Sequence, residues 1–163
     1  MEDGRLTVDP RIRDRLNVVV GSVHWLPVAR DESPARIVDV WMGHTRRLVR
    51  TGVDILGHPL RWLENRVKPV PLEVVPFVVD VAVEAGVAVE INSHYVVEAD
   101  SDMLREAVRR GAAITFSADA HRLSEIGKFE YHQNLVERSG LRLDEVRLWA
   151  PAAVKAPGSA RSW

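Results

Sequence analysis

Four stretches of this chain each end in side chains that bind metals or anions. Residues 18–23 are followed by His24, and residues 53–57 by His58, in Gly57-His58-Pro59. The stretch 87–92 carries Glu90 and Asn92 and is followed by His94. Residues 113–117 lead into Asp119 and His121, in Ser117-Ala118-Asp119-Ala120-His121-Arg122. Imidazole nitrogens and carboxylate oxygens, with no thiolate among them, suit zinc, manganese or iron, and the sequence does not separate these ions. Asp119 and His121 stand two apart, so one loop can turn both toward a cleft. A single loop histidine is more often a cap or surface residue. Together with His24 and His58, the Asp119/His121 pair makes a metal site the better reading.

Other residues carry weaker signals. His94, after Asn92, is expected to face substrate or to support a ligand. Arg61, Arg122 and Lys128 are candidates for holding an anion near the metals, because guanidinium groups match phosphate oxygens pairwise; solvated surface charge is the competing reading. Trp25 and Trp62 can line a pocket or simply pack. His44, beside Trp41 in a helical pattern, is expected at the surface or core edge. His132, in Tyr131-His132-Gln133, is expected to be structural.

The elements that position these residues follow from pattern. Each of the four stretches is nearly continuously apolar and rich in β-branched residues, as in strands covered on both faces of a parallel sheet. Helical periodicity fills the gaps, over 35–50, 71–85, 99–110 and 125–139. Gly52, Gly86, Gly111 and Gly140 close these helices. The alternation predicts an α/β fold of parallel βα repeats, either an open doubly wound sheet or part of a barrel. In both, ligands bind at the carboxyl ends of the strands, where the candidate residues stand. Residues 141–149 are expected to add a short strand or helix. The expected organisation is one domain over 1–150, with a disordered tail at 151–163 rich in Pro, Ala, Gly, Ser and Arg.

Composition excludes several classes. The 163 residues include no cysteine, so disulfide scaffolds, thiolate zinc sites, iron–sulfur clusters and cysteine nucleophiles are ruled out. The formal net charge of −1 gives no global electrostatic case for nucleic acid or membrane partners. Residues 1–10 lack the apolar run of a signal peptide, and the longest apolar stretch, 70–89, is cut by Glu73, Asp80 and Glu84. A cytoplasmic location is therefore expected. No Gly-x-x-x-x-Gly-Lys-Ser/Thr loop, Gly-x-Gly-x-x-Gly turn or Gly-x-Ser-x-Gly elbow occurs, which removes support for NTPase, dinucleotide and serine-hydrolase readings.

In this order, Gly21-Ser22-Val23-His24, Asp54-Ile55-Leu56-Gly57-His58-Pro59, Val89-Glu90-Ile91-Asn92 and Ser117-Ala118-Asp119-Ala120-His121-Arg122 resemble the PHP (polymerase and histidinol phosphatase) family, across residues 15–140. The resemblance implies a distorted seven-stranded α/β barrel holding up to three divalent metals at the strand carboxyl ends. It also implies hydrolysis of phosphoesters, histidinol phosphate among them, by metal-activated water. By the resemblance, His24 and His58 ligate one metal, Asp119 a second and His121 a third. Asn92 supports a ligand or faces substrate, and Arg122 contacts phosphate. The family's His-x-His and bridging Glu stand nowhere in this sequence. The chain is therefore expected to match the C-terminal half to two-thirds of such a barrel, with low turnover by itself. A second copy or a further N-terminal segment would supply the rest. The alternative is an inactive remnant that binds an anion or a partner, or a metal-free α/β ligand-binding domain.

Overall fold

The computed structural model describes residues 8–13 and 15–151. The expected tail beyond Pro151 and most of residues 1–10 lie outside them. After a single helical turn, α1 (Pro10–Arg13), four βα units follow. The strands are β1 (Val20–Gly21), β2 (Ile55–Leu56), β3 (Ala88–Asn92) and β4 (Ile114–Ser117). The helices after them are α2 (Pro34–Val49), the short α3 (Arg61–Glu64) with α4 (Val74–Ala85), α5 (Asp100–Arg110) and α6 (Glu130–Arg138).

All pairings are parallel, and the sheet order is β1-β2-β3-β4. The order never reverses, unlike that of a doubly wound sheet. Successive helices therefore stay on one side and pack on one another, α2 on α4, α4 on α5 and α5 on α6. This is the winding of an arc of a βα barrel. The strands are shorter than the apolar runs that announce them. Residues 18–23 yield a two-residue edge strand, and residues 53–57 an equally short strand inside the sheet. Residues 141–149 form neither a full strand nor a helix. A 3₁₀ turn, Leu143–Glu145, leads to a single parallel bridge from Leu148 to Ile114, at the position of the next strand.

Local chemistry explains the helices. Ser33 caps α2 by accepting the Arg36 N–H at 3.4 Å, with Pro34 at the first helical position. Gly86 and Gly111 end α4 and α5 in the left-handed region, at φ 68° and 67°, where a Cβ is disfavoured. Helix α4 buries seven of its residues, among them Val74, Phe77, Val78 and Val79. It lies between α2, α5 and the sheet, which is why its sequence is apolar nearly all round. No helix among the described residues is long and apolar enough to cross a membrane. Trp41 is fully buried and meets the Phe77 ring edge-on. His44, expected at the surface or core edge, is buried on the same helix. One apolar cluster runs from Val19 to Val146.

A buried acid joins α5 to α6. The Asp100 carboxylate accepts the Tyr131 hydroxyl at 2.6 Å and the Val97 N–H at 3.2 Å. Burial pushes its pKa from 3.8 up to about 6, against the pull of those two hydrogen bonds. The folded state thus prefers the protonated form. Its contribution to stability is full below the unfolded pKa and is lost as pH rises through the folded one. Asp100→Asn keeps the shape without the charge. Relative to the parent it is expected to gain up to about 3 kcal/mol between about pH 4 and pH 7, measured by urea unfolding at each pH. A difference that does not change with pH would contradict the raised pKa.

Candidate metal and anion site

The site residues stand on loops leaving the same end of the sheet. His24 follows β1, His58 follows β2, His94 follows β3, and Asp119 and His121 follow β4. Their rings form a continuous arc. The His24 and His58 centroids are 5.0 Å apart, His58 and Tyr95 5.9 Å, Tyr95 and His94 4.5 Å, and His94 and His121 4.5 Å. The chain alternates βα units, so the arc brings together residues up to about a hundred positions apart.

One carboxylate ties the middle of this rim. Glu90, on β3, accepts the backbone N–H of His58 at 2.6 Å through Oε2 and the Ser117 hydroxyl at 2.6 Å through Oε1. It links the ends of β2, β3 and β4. Gly57 lies against the same group; a Cβ there would sit 2.3 Å from Ser22 Oγ, 2.9 Å from Val20 Cγ1 and 3.5 Å from Glu90 Oε2. The glycine is therefore required by close approach. Asn92 is buried, and its Oδ1 accepts the N–H groups of His94 at 2.7 Å and Tyr95 at 3.1 Å. It shapes the turn that presents those two rings. Both His58 and Asp119 have positive φ, 27° and 45°. Such backbone is uncommon outside glycine and clusters at functional sites.

Among the described residues, His94, His121 and Glu125 offer ligand atoms that all lie within 4.8 Å of one another. The His121 Nδ1 lies 2.7 Å from the Asp119 carbonyl oxygen, which can only accept. The proton is therefore on Nδ1, and Nε2 keeps its lone pair. Glu125 Oε2 accepts the His121 N–H at 2.8 Å and lies 3.6 Å from His94 Nδ1. That N–H bond holds the Glu125 carboxyl below its ordinary pKa against the opposing desolvation, with His94 and Arg122 adding to the lowering. An ionised carboxylate and two imidazoles suit a divalent cation of the zinc, manganese or iron type.

The other half of the arc has a second sign of an open ligand position. His58 Nδ1 is buried and has no hydrogen-bond partner. Desolvation lowers the His58 pKa, Glu90 opposes this, and Arg61 and His24 add to the lowering. The imidazole is thereby held neutral, the form that ligates. His24, His58 and Asp119 do not come within the 4.8 Å of the His94/His121/Glu125 group. The structure thus puts His24 with His58 at one end of the arc and His121 with His94 at the other, with Tyr95 between them, while Asp119 meets His121 through its backbone carbonyl. Glu125 and Tyr95 were not among the residues expected to act. Helical periodicity over 125–139 puts Glu125 at the start of a helix. In the structure that helix begins at Glu130, after a 3₁₀ turn, Leu123–Glu125, and Gly127.

The remaining candidates separate. Arg122 is exposed beside Glu125. Trp25 is 61% exposed, whereas Trp62 packs on the core. His132 is buried among Phe116, Phe129 and Tyr131, with Nε2 at 3.0 Å from the Ile91 carbonyl, so it is part of the packing.

No protein-family model matches the chain. It is 28% identical over 147 residues to a protein of Caldanaerobacter subterraneus subsp. tengcongensis named a probable phosphatase, covering 83% of this chain and 52% of that protein. A probable phosphatase of Aeromonas hydrophila is 28% identical over 163 residues, covering 93% of this chain and 60% of its own length. One of Thermoanaerobacter sp. is 25% identical over 156 residues, covering 89% and 58%. The chain thus spans about half to three-fifths of the length of these relatives.

Proposed function

We propose that this chain carries part of the metal-binding rim of a phosphoesterase of the PHP kind, acting on a small phosphomonoester, with histidinol phosphate as one candidate. The observation that carries this reading is the arc of four histidines and one tyrosine on the carboxyl-end rim, with His94, His121 and Glu125 close enough to share one cation. The resemblance in motif order and the names of the relatives support it. A bound divalent cation lowers the pKa of water and offsets charge on phosphoryl oxygens. The chain's own residues do the rest. His121 presents Nε2, Glu125 supplies negative charge, and Glu90 fixes the loop that carries His58. In this proposal His24, His58 and Asp119 extend the ligand set, while Asn92 and His94 set the shape of the substrate side.

The test strips the purified chain with chelator and reloads it separately with zinc, manganese and iron(II). Metal content is then read by elemental mass spectrometry and hydrolysis on p-nitrophenyl phosphate and histidinol phosphate. At least about one ion per chain and turnover that disappears with chelator are expected. Metal retention without any hydrolysis would overturn the catalytic part. A chain that stays metal-free would overturn the whole reading.

A further inference from the structure

Arg61 opens α3, three residues after His58. Its guanidinium carbon lies 3.3 Å from the centroid of the Tyr95 ring. At that distance only a near-parallel stack keeps a guanidinium nitrogen out of the ring. Tyr95 is itself the middle ring of the rim arc, between His58 and His94. The cation is therefore held against the middle ring of the arc by a contact that uses its face and leaves its N–H edges unspent.

Of the other arginines, Arg66 and Arg110 have donors engaged, and Arg122 is exposed rather than held against a ring. Arg66 donates to the Ala29 carbonyl, and Arg110 to Glu106 and Asp80. Arg122 stands by Glu125 and already offsets that carboxylate's charge. Among the described residues Arg61 makes no ion pair and no side-chain hydrogen bond, although Glu90 and Glu125 lie on the same rim. A half-buried, immobilised guanidinium with free edges, stacked on the ring that stands between His58 and His94, matches a doubly charged tetrahedral anion, since its fork meets two oxygens at once.

We infer that Arg61, held by Tyr95, is the phosphate clamp of this rim, contacting two non-bridging oxygens of a phosphomonoester, and that Arg122 is not. This rests on the phosphoesterase reading for its substrate class. The clamp binds the ground-state phosphate and positions it between the two halves of the arc.

The experiment titrates the chain, metal-stripped and metal-loaded, with inorganic phosphate by calorimetry. Arg61→Gln is expected to weaken phosphate binding about tenfold or more, the loss of a bidentate charged contact. Arg61→Lys keeps the charge without the fork and is expected to recover less than half of that loss on the free-energy scale. Tyr95→Leu removes the platform and is expected to cost about threefold to tenfold. Arg122→Gln is expected to stay within about twofold of the parent. Thermal unfolding of each variant checks that the fold is kept. An Arg61→Gln variant that binds like the parent, a loss carried instead by Arg122→Gln, or a parent that binds no phosphate would each overturn the clamp. The two readings fail separately. Arg61-dependent phosphate binding with no metal-dependent hydrolysis leaves the clamp and removes the enzyme. Hydrolysis indifferent to Arg61→Gln removes the clamp and leaves the enzyme.

Discussion

His121→Ala is expected to lower the chain's affinity for zinc or manganese by about 100-fold, read by competition with a chromophoric chelator. His121 is the hinge of the His94/His121/Glu125 group. Its Nδ1 proton is committed to the Asp119 carbonyl and its backbone N–H to Glu125, which leaves Nε2 as the nitrogen free to ligate. Alanine keeps the backbone hydrogen bond to Glu125 and removes only the ligating nitrogen, so the loop can hold its shape. Glu125→Gln still accepts that N–H but carries no charge, and is expected to cost about tenfold. His58→Ala removes the buried, partnerless Nδ1 and is expected to lower the metal content of the loaded chain. Three variants with parental affinity and metal content would mean that these residues do not bind metal.

Much of the scaffold behind those residues was legible because each signal has one physical cause. Continuous β-branched runs mean strands covered on both faces, and glycines after helical periods mean left-handed caps. The runs placed β3 and β4 within a residue of their bounds, while β1 and β2 each shrank to two residues. Gly86 and Gly111 stop their helices where expected. The site was legible only as a set of strand ends. His94, expected to face substrate or to support a ligand, stands beside His121 and Glu125, because Asn92 accepts two backbone N–H groups and shapes the turn that carries it. Glu125 was hidden in a helical pattern that Gly127 interrupts. Tyr95 and the stacking of Arg61 depend on where two loops meet, and periodicity does not encode that.

Gly57→Ala is the second change expected to have a large effect. The new methyl would meet Ser22 and Val20 inside van der Waals distance and press toward Glu90. Relief comes from re-orienting the Ser22 and Val20 side chains together with the chain around them, at about 1–3 kcal/mol of stability. Because Glu90 holds the His58 N–H, the same movement is expected to weaken metal retention, which separates it from a purely structural defect. Gly43→Ala supplies the contrast. Gly43 lies within α2, and a Cβ there meets only Arg47 Nη1 at 3.6 Å. It is expected to stabilise by about 0.5–1 kcal/mol, with metal content unchanged. Urea unfolding of both variants at one pH decides the pair, and equal effects would contradict the close approach at Gly57.

The unreversed strand order has a kinetic consequence. Every strand pairs only with the one made just before or just after it. The polypeptide can thus acquire its structure as it leaves the ribosome, one βα unit adding to the last, with no strand left waiting for a distant partner. Protection against hydrogen exchange should then be graded along the sheet. It should be deepest at β3, clasped on both sides and roofed by α4 and α5, and shallowest at Val20 and Leu148, where the arc ends. The arc of histidines spans that whole gradient, so its His24 end rests on the softest part of the scaffold and its His94 end on the firmest.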